Sequence, residues 1–151
     1  MTAPVLVFGW GNPSRGDDAL GPLFVERIEA LRLPGVECLT DFQLQVEHAL
    51  DLKGRQRVLF VDASIDTLTI AANRIEPGRD ATFTTHAISP QSVMQTYLDI
   101  ERAEPPPCWL LAIGGRSFEL GESLSDDAAY NLDAALAWAI EWLTDEEKDL
   151  R

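Results

Sequence analysis

One sequence feature constrains the fold of this chain most. It is a short apolar run followed directly by a glycine-containing segment that ends in two acidic residues. Residues 5–8 are all apolar, which is typical of a strand buried on both faces of a parallel sheet. The segment 9–18 follows and ends in the acidic pair Asp17-Asp18, after which apolar residues recur at helical spacing over 20–31. Ligands of open α/β sheets bind beyond the carboxyl ends of the strands, so we expect the chemistry of this chain at that segment.

Strand and helix patterns alternate along the rest of the chain. They predict strands at 5–8, 36–40, 58–61, 81–85 and 109–113, and helices at 20–31, 46–53, 90–101 and 125–143. Ser89 and Ser125 are predicted helix N-caps, and a more polar stretch after 62–64 has a predicted turn at Pro77-Gly78. This order predicts an α/β fold, a three-layer α/β/α sandwich with a mainly parallel, twisted five-stranded sheet and an edge strand that can be antiparallel.

Length and charge bound the domain organisation and the partners. The chain has 151 residues, 46% of them hydrophobic, which predicts one domain over 1–151 with a charged tail, 144–151, that frays. It carries 25 acidic and 12 basic side chains and no lysine or arginine cluster. Phosphate backbones and anionic membranes attract clustered basic residues, so we expect no nucleic-acid or membrane partner. The excess of acidic residues favours solubility or favours binding to a basic protein partner.

Cysteine usage and the N-terminal sequence indicate the compartment. Cys38 and Cys108 both lie in apolar, strand-like surroundings, where free cysteine acts as a small buried hydrophobe. The first residues lack the basic and long apolar regions of a signal peptide. We therefore expect a reduced cytoplasmic protein, and we expect it to be a monomer.

Polar side chains follow three of the predicted strands. Asp17 and Asp18 follow the first, Asp62 follows the third and His86 follows the fourth. If these strands are parallel, the side chains converge at one edge of the sheet. Two carboxylates and an imidazole suit a borderline divalent cation with open coordination positions. The sequence therefore predicts a metal-binding site at this edge.

Each of these residues also has a structural explanation. Asp17 or Asp18 can cap the helix that follows, and Asp62 can bind backbone amides in a turn. His86 can be a solvated residue at a strand end, and the second histidine, His48, is predicted to lie on a helix surface. These explanations stay open for each residue taken alone.

Several common catalytic and nucleotide-binding motifs are missing from the sequence. Gly9-Trp10-Gly11 begins like a dinucleotide-binding fingerprint, but Ser14 occupies the position of the third glycine. The chain has no Gly-Lys-Ser or Gly-Lys-Thr of a P-loop and no Gly-x-Ser-x-Gly nucleophile elbow. Neither a phosphate loop nor a serine nucleophile is therefore indicated.

Four stretches of the sequence resemble one family, the hydrogenase maturation endopeptidases, which trim the large-subunit precursor of nickel-iron hydrogenases. They are Gly9-Trp10-Gly11-Asn12 with Asp17-Asp18 and Gly21; Val61-Asp62-Ala63; His86 with Ser89-Pro90; and Ile113-Gly114-Gly115 leading to Phe118-Glu119-Leu120-Gly121 and Leu124-Ser125. They occur in family order over about residues 5–143. The segments 41–45 and 86–91 are most similar to the branch that serves cytoplasmic NAD-reducing, bidirectional hydrogenases.

The resemblance implies a site and a substrate. It implies that Asp18, Asp62 and His86 are the metal-recognising ligands, with Asp17 and Asn12 in support. Family members carry Glu or Asp at the position of Asp18 and often Gly at the next, where this chain has Ala. The metal is nickel already inserted in the large-subunit precursor, and no organic cofactor is implied. The family cleaves a short C-terminal extension from that precursor.

The resemblance leaves two mechanisms and two further functions open. Nickel can polarise the scissile carbonyl or activate water, or it can be only a docking check while Asp17 or Asp18 positions water as a general base. The glycines of 9–18 would let the partner's backbone approach. The alternative functions are a non-catalytic nickel-sensing maturation chaperone and a small nucleotide-binding module, against which the missing phosphate loop weighs.

Overall fold

Five strands and the helices between them form an α/β fold in the computed structural model, which describes residues 2–80 and 88–145. The strands are β1 (Val5–Trp10), β2 (Val36–Asp41), β3 (Arg57–Ser64), β4 (Ile70–Ile75) and β5 (Cys108–Gly114). The helices are α1 (Leu20–Ala30), α2 (Pro90–Glu101) and α3 (Asp126–Thr144), with 3-10 helices at Gly16–Ala19 and Val46–Leu52. The predicted fold class is confirmed.

The sheet is mostly parallel and has the strand order β2-β1-β3-β5-β4. β1 pairs in parallel with β2 and β3, β3 pairs in parallel with β5, and only β4 runs antiparallel, along the outer side of β5. All six residues of β1 are buried, as expected for a strand with neighbours on both sides and helices on both faces. The carboxyl ends of β1, β2, β3 and β5 therefore share one edge of the sheet.

Alternate residues of the strands face two separate hydrophobic clusters. Val5 and Val7 of β1 pack with α1 and α3, whereas Leu6, Phe8 and Trp10 pack with the second 3-10 helix and α2. Because successive side chains of a strand point to opposite faces, one central strand serves both clusters. The helices thus form an outer layer on each face of the sheet.

Two serines begin the long helices, as the sequence predicts. The Ser89 hydroxyl accepts the N–H of Ser92, with Pro90 as the first helical residue, and the Ser125 hydroxyl accepts the N–H of Ala128. Both bonds satisfy amides that have no partner within the helix. Of the helices in the part of the chain that the structure describes, none is both long and apolar enough to cross a membrane.

The antiparallel edge strand lies in a stretch to which the sequence assigns no strand. β4 occupies 70–75, inside the polar stretch, and residues 70–74 are half-buried or exposed. Its sequence does not alternate between apolar and polar residues, so its strand state depends on pairing with β5. The predicted strand 81–85 lies outside the described residues, as does most of the predicted tail. Cys38 and Cys108 are both free thiols, as expected.

Candidate functional site

The buried carboxylate of Asp17 holds together two segments at the carboxyl edge of the sheet. Its side chain has no exposed surface. Oδ2 accepts the N–H of Arg116 at 2.6 Å and of Ser117 at 3.2 Å, and Oδ1 accepts the N–H of Ser125 at 2.8 Å. The Ser125 hydroxyl donates to Oδ2 at 2.7 Å. Asp17 therefore ties the loop after β1 to the segment between β5 and α3.

These bonds also decide the ionisation of Asp17. Burial raises the pKa of a carboxyl, but here the hydrogen bonds from Ser125, Arg116 and Ser117 outweigh burial and lower the pKa of Asp17 below its usual value. The alternative explanation, that Asp17 or Asp18 caps the following helix, does not hold. The N-cap of α1 is Ala19, and no side chain caps either α1 or the 3-10 helix before it. The reason is that both carboxylates bind amides elsewhere.

Asp18 faces a different environment from its neighbour. Its Oδ2 accepts the N–H of Asn12 at 2.7 Å, and the Asn12 side chain in turn accepts the N–H of Ser14 at 2.9 Å. A Cβ on Gly11 would lie 2.0 Å from the carbonyl oxygen of Asp18, and Gly11 has a φ of +148°. Gly11 thus lets the chain's own acidic segment approach closely.

Asp62 lies within β3, not after it, because β3 continues to Ser64. It pairs in register with Ala112 of β5, close to the carboxyl end of both strands. Burial, followed by the negative charge of Asp18, raises the pKa of Asp62 to about 7, against a smaller opposing effect of the Ala63 amide. The two carboxylates are therefore close enough to influence each other, and at neutral pH Asp62 is in part protonated.

An open cleft of about 510 Å³ contains both carboxylates. It is lined by Trp10, Asn12, Arg15, Asp18, Phe42, Gln43, Asp62 and Ala63. Three strand ends contribute to it: the loop after β1, the loop after β2 and the end of β3. Two carboxylates in one cleft can ligate a divalent cation when both are deprotonated, or a protonated one can transfer its proton to or from water.

The third residue of the predicted site, His86, lies outside the described residues. Within 2–80 and 88–145, no group of three or more His, Cys, Asp or Glu side chains could hold a metal ion. The described part of the cleft thus brings together Asp18, Asp62 and Asn12 and assigns Asp17 to its support.

Sequence reasoning missed one wall of the cleft and the histidine behind it. Phe42 and Gln43 line the cleft, and the side chain of His48 is only 12% exposed, because its ring packs edge-on against Phe8. The prediction that His48 lies on a helix surface is therefore wrong. The available signal was the spacing of Gln45 and His48, which form a capping box at the start of the second 3-10 helix.

The fold of the chain is similar to that of known structures, whereas no protein-family model and no curated protein sequence matches the chain. The structure of the [NiFe] hydrogenase maturation protease HycI from Thermococcus kodakarensis KOD1 is similar, with a TM-score of 0.70, 22% identity and coverage of 95% of this chain and 94% of that one. This fold is shared with the [NiFe] hydrogenase maturation proteases.

Two further structures are similar over nearly their whole length. The hydrogenase maturating endopeptidase HybD from E. coli has a TM-score of 0.71 and 23% identity, covering 92% of this chain and 91% of that one. The hydrogenase 2 maturation peptidase from a Thaumarchaeota archaeon has a TM-score of 0.67 and 22% identity, covering 93% and 97%. Similarity at this level of identity establishes the fold, and the activity must be argued from the residues.

Proposed function

We propose that this protein is an endopeptidase that removes the C-terminal extension from the nickel-loaded large-subunit precursor of a nickel-iron hydrogenase. One observation carries the proposal: the open cleft brings Asp18 and Asp62 together at the carboxyl edge of the sheet. The fold shared with hydrogenase maturation proteases over more than nine-tenths of the chain supports it. The ordered motifs around both residues support it independently of the fold.

Asp18, Asp62 and His86 are the ligands for the substrate's nickel in this proposal. Carboxylate oxygen and imidazole nitrogen suit a borderline divalent ion such as nickel, and a set of only three ligands leaves positions for the substrate's own donors. The sequence motif of His86 with Ser89-Pro90 supports the inclusion of His86.

The described residues also supply what peptide hydrolysis needs. Water must add to the scissile carbonyl carbon and lose a proton, and the departing amine must gain one as the C–N bond breaks. A site carboxylate oxygen that does not hold the metal can accept that proton and return it to the departing amine. Asn12 holds Asp18 in place through its backbone N–H. Nickel in the substrate serves here as the recognition element that brings the scissile bond to the carboxylates.

The location, oligomeric state and partners of the protein belong to the same proposal. We propose a single cytoplasmic domain that acts as a monomer on one protein substrate, without nucleic acid or membrane. The net charge of −13 favours a precursor surface with basic residues around the extension. The segments 41–45 and 86–91 support assignment to the branch that serves NAD-reducing, bidirectional hydrogenases.

Single substitutions at the site test the proposal. Asp18→Asn, Asp62→Asn and His86→Ala should each slow cleavage of the nickel-loaded precursor by about a hundredfold or more, measured as loss of the extension by intact mass. The control is Asp66→Asn, a change in an exposed aspartate that does not line the cleft. Unchanged cleavage in all three variants would remove the site assignment. Precursor binding by the wild type without any loss of mass would favour the chaperone alternative.

A further inference from the structure

A histidine behind the cleft makes two polar contacts that hold one cleft wall. His48 lies on the second 3-10 helix, and its Nδ1 accepts the N–H of Gln45 at 2.8 Å. Its Nε2 lies 3.2 Å from Oδ2 of Asp41, the last residue of β2. Because Nδ1 accepts a hydrogen bond, the ring proton is assigned to Nε2, which donates to Asp41.

The two contacts lie at either end of the wall segment, residues 41–45. At its start, Asp41 uses Oδ1 to accept the N–H of Phe42 at 2.7 Å, so one carboxylate links Phe42 to His48. At its end, Gln45 is held by Nδ1 of the same ring. Between them, Leu44 is buried to 1% exposure, whereas Phe42 remains 68% exposed at the cleft.

The ring itself is fixed by its packing. The centroid of His48 lies 4.5 Å from that of Phe8, a buried residue of the central strand β1, in an edge-on arrangement. Because His48 packs on β1 and Asp18 follows β1, the ring fixes the position of the wall segment relative to Asp18. Without this link, Asp41 loses its contact with the ring and the Gln45 N–H loses its acceptor on the ring.

We propose that His48 is a positioning residue that holds the wall segment in the shape that receives the extension of the precursor. The inference rests on the proposed function and names a residue outside its ligand set. A preformed wall binds a peptide without first being ordered, so its loss weakens binding. His48 does not line the cleft that contains Asp18 and Asp62, so its loss should leave the chemical step unchanged.

Three variants separate the polar contacts from the packing. His48→Phe keeps an aromatic ring against Phe8 but removes both hydrogen bonds. His48→Gln restores an acceptor for the Gln45 N–H, because glutamine is a usual partner at this position of a capping box. Glu47→Gln is the matched control on the same turn, since Glu47 is an exposed neighbour that does not line the cleft.

Two measurements on these full-length variants test the inference. Amide hydrogen exchange without substrate should show exchange at Gln45 about tenfold faster in His48→Phe, and within threefold of wild type in the other two variants. Cleavage of the nickel-loaded precursor should show KM raised about threefold to tenfold in His48→Phe with kcat within twofold, and near wild-type values in His48→Gln.

The outcomes distinguish this inference from the proposed function. Unchanged exchange in His48→Phe would overturn it, and so would a lowered kcat at unchanged KM or a failure of His48→Gln to restore KM. If the wild type does not cleave the precursor, the proposed function fails. The exchange measurement then still decides whether His48 holds the wall.

Discussion

Two adjacent aspartates in this chain have opposite environments. Asp17 is completely buried and accepts four hydrogen bonds, whereas Asp18 is partly exposed in a cleft beside Asp62. The first is an anion whose charge is stabilised by the protein. Asp18 is available to a ligand, and its negative charge raises the pKa of the nearby Asp62. The acidic pair thus divides into a structural residue and a candidate functional one.

Removing the charge of Asp17 should destabilise the fold. In Asp17→Asn the amide group would face N–H donors, leaving buried donors without an acceptor, at a cost of about 3 kcal/mol. For a chain of this length we expect Tm to fall by about 6–12 °C at pH 7. Differential scanning calorimetry measures this change. A Tm within 2 °C of wild type would show that the four bonds contribute little.

The raised pKa of Asp62 predicts how stability depends on pH. The folded state binds the Asp62 proton up to pH of about 7, but the unfolded chain loses it near the usual value of 3.8. Stability should therefore be highest below pH 4 with respect to this group, and fall as pH rises to about 7. In Asp62→Asn there is no carboxyl to ionise, so the fall of stability with rising pH disappears. It should be more stable than wild type by about 2 kcal/mol at pH 8, after a discount for the open cleft.

Urea unfolding at two pH values measures this difference. The gain of Asp62→Asn over wild type should nearly vanish at pH 3, where the wild-type carboxyl is mostly protonated in both states. Asp66→Asn, at an exposed neighbouring position, should show no such dependence. An equal stability difference at both pH values would mean that Asp62 ionises normally.

Among the elements, those with strong local signals could be predicted from the sequence. The apolar runs predict β1, β3 and β5 to within a few residues. The serine caps do the same for the starts of α2 and α3. β4 could not, because its strand state depends on pairing with β5 about 38 residues later in the chain. The same limit applies to Asp17, whose partners lie 99 to 108 residues away.

The contact between β1 and α1 depends on glycine. A Cβ on Gly21 would lie 2.3 Å from the carbonyl oxygen of Trp10, so the helix and the strand would have to move apart. We expect Gly21→Ala to lose about 2 kcal/mol despite the better helix propensity of alanine. Gly78→Ala is the control, since its Cβ would meet only Gln91 at 3.9 Å. Thermal unfolding checks both, and equal Tm values would contradict the close contact.

At the scale of the molecule, parallel strands gather distant residues at one edge of the sheet. This rule is why Asp18 and Asp62 could be assigned to one site from the sequence, and both line the cleft. The wall segment, which places Phe42 and Gln43 at the cleft, could not be predicted, because its position depends on how the chain turns after β2. His48 was misplaced for the same reason, since its neighbours Asp41 and Phe8 belong to other strands.

The central claim is that this protein cleaves a nickel-loaded hydrogenase precursor. The most direct test incubates the purified protein with nickel-loaded and nickel-free large-subunit precursor and measures the intact mass of each. We expect the loaded precursor to lose the mass of its C-terminal extension and the nickel-free precursor to stay unchanged. An unchanged mass of the loaded precursor would contradict the claim of cleavage, and equal cleavage of both forms would contradict recognition through nickel.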